Sequence, residues 1–384
     1  MSAFDRTIER RGSSSYKWDG AVALFGRDVL PFWVADMDFA APEPVLEALR
    51  RRAEHPVFGY EAKSDAIVQS VRQWMCARHG WEIPAEWLMF CPPSTIVGMA
   101  GLVMRLTAAT SGIACHTPGY SPLFRLVEDS GRRLVRCPLV ERRGKFHLDV
   151  DDLRRRLDDD VRLLLLCNPH NPTGRVFTEA ELRAVAALAA DNDLIVVSDE
   201  VHCDLVMPGH RHVPFGRLRG ERTVTVISPN KTFNTAGMPQ STFIIPDPEL
   251  RAVFAGFLDT MQLNHESTFG AVAAEAAYRH GAAWLDELIP YLDANHRLVR
   301  AFFEGNLPTV RATPAEGTYL AWLDCRASGL PEEELMKRLL ETGRVGLYPG
   351  TVFGPEGRGF LRMNVACPRE ILTRGLEGIV RALR

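Results

Sequence analysis

"VRLLLLCNPHNPTG" (161–174) is a continuous apolar run that stops in a turn of Asn, Pro and Gly. A half-exposed strand would alternate polar and apolar residues, and this run does not. It fits a parallel strand buried on both faces. Beyond the turn, Thr178 and Glu181 stand at capping-box spacing and predict a helix start. Leu182, Val185, Ala186 and Ala189 follow at i, i+3, i+4 and i+7, the stripe of a helix packed on one side. "DLIVVSDEVH" (193–202) then reads as a second buried strand, and "VTVISPNKTFNTAG" (224–237) opens as a third. Strand, helix, strand, strand with short links describes an α/β fold with a mainly parallel central sheet.

Before about residue 45 the chain is irregular, with Pro31, Pro42 and Pro44. From about residue 284 the helical pattern gives way to an α+β mixture, in which "TYLAWLDC" (318–325) alternates like a strand. The expected division is an N-terminal arm belonging partly to a small domain (1–45), a large domain (46–283) and a C-terminal small domain (284–384). A chain of 384 residues can build a substantial core in that arrangement.

The balance of 45 basic against 48 acidic residues gives −3, which offers no electrostatic footprint for nucleic acid or an anionic membrane. Arg50 to Arg52 and Arg154 to Arg156 read as solvated helix faces. The eight cysteines show no C-x-x-C spacing. His202 and Cys203 are adjacent in what reads as a strand, so they point to opposite faces and no metal site is expected. "MSAFDRTIERRG" (1–12) lacks the apolar core of a signal peptide, and no apolar run approaches the ~20 residues of a membrane span. A soluble, reduced, cytoplasmic protein is expected.

Three segments deliver chemistry to one place, because the carboxyl ends of parallel strands face a common ligand crevice. The first ends in Asn168 and Asn171, the second in Asp199, the third in Ser228 and Lys231. An amide, a carboxylate, a hydroxyl and an amine thus converge from distant parts of the chain. Asp199 has three readings at this point: a helix N-cap, half of a structural salt bridge with Lys231, or the partner of a pyridinium nitrogen. In the third reading Lys231 forms an imine with the cofactor's aldehyde, which only an amine can do.

"NPHNPTG" (168–174), "SDEVHCDLVMPGH" (198–210) and "SPNKTFNTAG" (228–237), in that order and spacing, resemble the class I/II aminotransferase family, fold type I of the pyridoxal 5′-phosphate (PLP) enzymes. "FWVADMDF" (32–39), "FGY" (58–60), "DEVHCDL" and "GHRHVPF" (209–215) are similar to its cystathionine β-lyase branch of C–S lyases. The resemblance runs from "RRGSSSYKWD" (10–19) to "FLRMNVAC" (360–367).

It implies a large PLP-binding domain and a role for each matching residue. Lys231 carries the cofactor and moves the substrate Cα proton. Asp199 pairs with the ring nitrogen, Asn171 donates to the ring's phenolic oxygen, and Tyr120 in "TPGYSPLF" (117–124) stacks on the ring. Ser228, with Ser94 and Thr95 at a helix start, binds the phosphate. Tyr60 reaches the phosphate in the neighbouring subunit, which implies a homodimer with shared sites. His202 stands near the ring. Arg362 clamps the substrate α-carboxylate with its planar fork, and the backbone at Ala35 and Asp36 supplies the second contact.

Two prolines depart from the family pattern: Pro93 replaces a glycine at the mouth of the phosphate loop, and Pro239 replaces a phosphate-binding arginine of transaminases. "MQLNHESTF" (261–269) is polar and is expected to face the partner's site. The implied activity is β-elimination from an S-substituted, cystathionine-like cysteine, giving a thiol, pyruvate and ammonia. Transamination of an amino acid shares its early steps. An atypical PLP reaction, decarboxylation coupled to oxidative deamination of an S-conjugated amino acid, is a third reading. A regulatory protein retaining the fold is a fourth.

Overall fold

Seven strands form the central sheet in the order β1-β7-β6-β5-β4-β2-β3. They are β1 (Leu88–Cys91), β2 (Gly112–Thr117), β3 (Arg133–Pro138), β4 (Val161–Cys167), β5 (Ile195–Asp199), β6 (Thr223–Ile227) and β7 (Ser241–Ile244). The structure is a computed structural model that describes residues 2–384. All neighbouring pairs are parallel except those of β7, which runs antiparallel between β1 and β6. The sheet is therefore mainly parallel, as the apolar runs require. Every residue of β5 and β6 is buried, and in β4 Arg162 alone is exposed. Helices cover both faces, so these strands need no polar side.

Register brings the chemistry together. Cys167 of β4 lies opposite Asp199 of β5, and Asp199 lies opposite Val226 of β6, two residues before Ser228. Thr178 caps the helix Glu179–Asp191 through the expected reciprocal box with Glu181. One expectation is corrected. The stretch 193–202 is strand only over Ile195–Asp199, because Asp193 turns at φ 50° and Val201 N–H folds back on to Asp199 Oδ1 at 3.3 Å. His202 and Cys203 thus sit in a turn, closed by Cys203 N–H donating to Glu200 O at 2.9 Å. The argument from opposite strand faces does not apply to them.

A smaller antiparallel sheet has the order β8-β9-β11-β10, with β8 (Arg311–Ala312), β9 (Leu320–Asp324), β10 (Tyr348–Pro349) and β11 (Phe360–Asn364). Leu30–Pro31 pairs in parallel with Val345–Gly346, so the N-terminal segment joins the C-terminal part of the chain. No helix among the described residues is long and apolar enough to cross a membrane.

The two sheets are tied by a buried ion cluster. Arg175, in the turn after β4, donates from Nε to Glu316 Oε2 and from Nη2 to Glu181 Oε2, both at 2.8 Å. Glu316 also accepts from Val176 N–H at 3.0 Å and from Lys145 at 2.5 Å. Removing Glu316 leaves the buried Arg175 guanidinium with one carboxylate, Glu181, in place of two, and Val176 N–H without its acceptor. Glu316→Ala is accordingly expected to lower the unfolding free energy by about 3 kcal/mol, read as a shift of the urea midpoint, with Glu316→Gln losing less.

Candidate active site

β6 ends at Ile227, and Ser228 caps the one-turn helix Pro229–Thr232 that carries Lys231. Lys231 Nζ donates to the carbonyl of Ala35 at 2.7 Å. Residues nearly two hundred positions apart meet there because Asn234 grips the segment 32–39. Its Nδ2 donates to Met37 O and Phe39 O at 3.0 and 2.8 Å, and its Oδ1 accepts from Met37 N–H at 2.9 Å. Asn234 does so from the left-handed region, φ 56°, which asparagine tolerates better than most residues. From the other side Asp38 is held by Lys17 Nζ (2.7 Å), Trp18 Nε1 (2.8 Å) and Arg10 (2.7 Å). Arg10 also pairs with Asp36 at 2.9 Å. The Ala35 carbonyl and the Asp36 side chain are therefore fixed before any ligand arrives.

The charges of the crevice are perturbed mainly by burial. It lowers Lys231 to about 8; Asp36 opposes the shift, Arg362 adds to it, and Asp199 opposes it. Asp199 is raised to about 6, again by burial, with the Val201 N–H and Lys231 drawing it back. His202 is pressed down to about 3 by burial, Lys231 and Arg362, and its buried Nδ1 has no partner. A lysine and a carboxylate whose protonation changes lie near neutrality, at the carboxyl ends of adjacent strands, are suited to moving protons.

Arg362 of β11 is buried. Its Nη1 donates to Asn171 Oδ1 at 3.1 Å and its Nη2 to Trp33 O at 2.5 Å, while Nε is buried without a partner. Its guanidinium lies over the rings of Phe353 and Tyr348, 4.8 and 5.2 Å from the centroids. Burial lowers it to about 10 against the pull of Tyr348, Tyr120 and Tyr319. No carboxylate of the described residues pairs with it. A buried guanidinium answered only by neutral oxygens and rings keeps an unbalanced positive charge, which suits it to pair with an anion. Asn171 spends its oxygen on Arg362, which leaves its amide hydrogens to donate elsewhere.

Ser94 caps the helix Thr95–Leu106 by accepting from Val97 N–H at 3.1 Å, so Thr95 stands at a helix N-terminus. Ser228 is buried, and its proton is already given to Gln240 O at 2.8 Å. An anion there would have to displace that bond. Tyr120 precedes the helix Ser121–Asp129, half-buried, with its hydroxyl pushed up to about 12 by burial and the charge of Asp199. Tyr60 is not brought into this set. It stands 90% exposed, its ring 4.7 Å from that of His265. Nearby, Glu61 and Glu266 form a bridge and Phe58 packs on Phe269, so the polar stretch 261–269 lies against residues 57–61.

Sequence reasoning missed several contributors. Tyr319 was read only as part of an alternating strand, yet its hydroxyl donates to the same Ala35 oxygen at 2.9 Å. Lys17 and Trp18 carried a signal in hindsight, since a lysine between two aromatics in "YKWD" suits a buried charge better than a solvated one. His79, Cys203 and Asp204 bring potential ligand atoms within 4.8 Å of one another. Asp204, however, already accepts from Trp74 Nε1, His79 Nε2 and Thr232 Oγ1, each at 2.9 Å. Burial raises the Cys203 thiol well above its usual range and keeps it neutral. The cluster is a hydrogen-bonded anchor, and Thr232 ties it to the lysine helix.

The model of the family "Aminotransferase class I and II" matches residues 28–379. The chain is 41% identical to cystathionine beta-lyase PatB of Bacillus subtilis (strain 168), over 99% of both chains. Among solved structures it resembles a PLP-bound putative aminotransferase from Clostridium difficile 630, with a TM-score of 0.97 and 35% identity over 99% of both chains. It also resembles cystalysin from Treponema denticola, which contains a pyridoxal 5′-phosphate cofactor. There the TM-score is 0.96 and the identity 33%, over 100% of this chain and 99% of the other. The sheet order, the lysine at the end of β6 and these full-length likenesses agree: the chain belongs to the class I and II aminotransferase family.

Proposed function

We propose that this protein is a PLP-dependent C–S β-lyase that converts an S-substituted cysteine and water into a thiol, pyruvate and ammonia. The observation that carries the reading is that a buried arginine, Arg362, which pairs with no carboxylate among the described residues, lies in one crevice with a buried lysine, Lys231, whose amine is held only by the Ala35 carbonyl and pushed down by burial. The first suits the α-carboxylate of an amino acid. The second suits exchange of a proton at its Cα.

The residues fit the cofactor on grounds internal to the fold. Asp199 is buried and raised to about 6, a cost that a cationic ring nitrogen beside it would offset. The N-terminus of the helix Thr95–Leu106 suits a phosphate. When bound, PLP supplies an aldehyde for the amine and a protonated ring that withdraws the electron pair released at Cα. Arg362 and the backbone at Ala35 and Asp36 would hold the substrate carboxylate. Lys231 would take the Cα proton, after which the Cβ–S bond breaks and the thiolate leaves with that bond's electron pair. Asn171 and Tyr120 would confine the ring, with His202 on its rim, and Ser94, Thr95 and Ser228 would hold the phosphate. Full-length likeness to a protein named cystathionine beta-lyase supports elimination over transamination.

We further propose a homodimer in which Tyr60 completes the partner's phosphate site. Its 90% exposure, beside exposed Val57 and Phe58, supports this reading. Tyr60→Phe and Lys231→Ala should then each lose activity alone, and mixing them should restore it. Hybrid dimers hold one intact site, so roughly a quarter of the wild-type rate is the expected ceiling for random exchange. No recovery after verified subunit exchange would refute the shared site.

Pure protein with added PLP is expected to gain a visible absorption band that Lys231→Ala lacks, and to release pyruvate from cystathionine. Conversion of the cofactor to pyridoxamine phosphate without pyruvate would favour the aminotransferase reading. Asp199→Asn should lower kcat roughly 10²–10³-fold. It should also stabilise the cofactor-free protein. The folded pKa of Asp199 is raised, so its contribution to stability is full at low pH and is lost as pH rises from about 4 to about 6. Above that window the substitution is expected to add roughly 2–3 kcal/mol to the unfolding free energy, a gain that vanishes near pH 4.

A further inference from the structure

Tyr319 lies beside Lys231 across a single oxygen. Its hydroxyl donates to Ala35 O at 2.9 Å, and Lys231 Nζ donates to the same atom at 2.7 Å. A carbonyl has two lone pairs, and here both are used. Tyr319 is buried, and its ring meets that of His202 edge-on, with centroids 5.8 Å apart.

The backbone that aims this side chain is unusual. Thr318 is a buried β-branched residue at φ 65°, a region such residues rarely enter. It is held there from three directions. Its N–H donates to Leu205 O at 2.7 Å, its Oγ1 accepts from Leu320 N–H at 3.1 Å, and its carbonyl accepts from His296 Nε2 at 3.1 Å. Gly317 packs so closely that a Cβ would stand 2.7 Å from Val176 Cγ2 and 2.9 Å from Leu205 O. A strained residue gripped this firmly sets the direction of the next side chain, and that side chain ends on the oxygen which holds the lysine.

We infer that Tyr319 is a positioning residue that tunes Lys231 through the Ala35 carbonyl. By donating to that oxygen it weakens the oxygen as an acceptor for the lysine ammonium. It also keeps the carbonyl partnered whenever Lys231 leaves to bind the cofactor or to carry a proton. The lysine is thereby freed to deprotonate and to move, while the segment at Ala35 and Asp36 stays in place. The inference rests on the proposed role of Lys231 and adds a residue to that centre.

The other groups facing Lys231 are Asp36 on the segment 32–39, Asp199 at the end of β5, Arg362 on β11 and His202 in the turn. Tyr319→Phe leaves all of them in place and removes one oxygen atom. The test is the rate at which cofactor-free protein recombines with PLP, followed by absorbance from pH 6 to 10 for the wild type and the variant. Loss of the second donor strengthens the bond that the ammonium donates to Ala35 O. The midpoint of the rate profile should therefore rise by about half a pH unit, making recombination roughly threefold slower at pH 7. The thermal midpoint of the cofactor-free variant should remain close to wild type. A lowered rate with an unmoved midpoint would overturn the inference, because a merely structural tyrosine would act in that way. Failure of the wild type to recombine at any pH would instead sink the cofactor reading itself.

Discussion

Arg362 carries a positive charge into the interior, and no carboxylate among the described residues meets it. Folding tolerates this only because neutral acceptors and ring faces surround the guanidinium, and because the neighbouring elements hold it still. Asn171 and Trp33 O come from the turn after β4 and from the segment 32–39, while Phe353 and Tyr348 come from the chain leading into β11. The arginine is thus a point where the central sheet, the small sheet and the N-terminal segment must all agree. The ion cluster of Arg175, Glu181 and Glu316 serves that agreement by pinning the turn after β4 to the residues preceding Tyr319.

The same arrangement places opposed penalties on Asp199 and Lys231. Burial pushes the carboxylate towards its neutral form and the amine towards its neutral form as well. Two groups that attracted each other fully would settle as a charged pair and would be poor at exchanging protons. Here their mutual attraction is smaller than the desolvation each suffers, so both stay near the pH at which they can work. Stability is given up at this edge of the sheet, and a cationic ring between the two groups would recover part of it.

The parts of this design that lie on strands were legible in the chain. "VRLLLLC" and "LIVVSD" announce buried parallel strands because nearly every position is apolar with no alternation, and their carboxyl ends then place Asn171 and Asp199 with little freedom. Lys231 follows from the end of β6 by the same logic. Where regular structure stops, the reading fails. The stretch 193–202 was extended three residues too far, because Asp199 turns the chain with its own side chain, an event that hydrophobic patterning does not record. Tyr319 was hidden differently. The strand covers only Leu320–Asp324 and is buried at successive positions, so Tyr319 lies in the bend before it, and its direction depends on the left-handed backbone of Thr318, which no propensity would assign to threonine.

Pro239 can now be understood from its neighbours. In place of an arginine reaching for phosphate, the chain after the lysine helix delivers Gln240, whose carbonyl takes the proton of Ser228 and whose side chain donates to the buried Glu266 at 2.6 Å. Glu266 in turn bridges to Glu61, one residue beyond Tyr60. A run of hydrogen bonds therefore leads from Ser228 to the backbone of Glu61, the residue after the exposed tyrosine that the proposed dimer would hand to the other subunit. In the proposed site the phosphate would be held by neutral donors, by the N-terminus of the helix Thr95–Leu106 and by the tyrosine of the second subunit. In such a site, cofactor retention and subunit association are thermodynamically linked, because whatever binds the assembled site also favours the assembly.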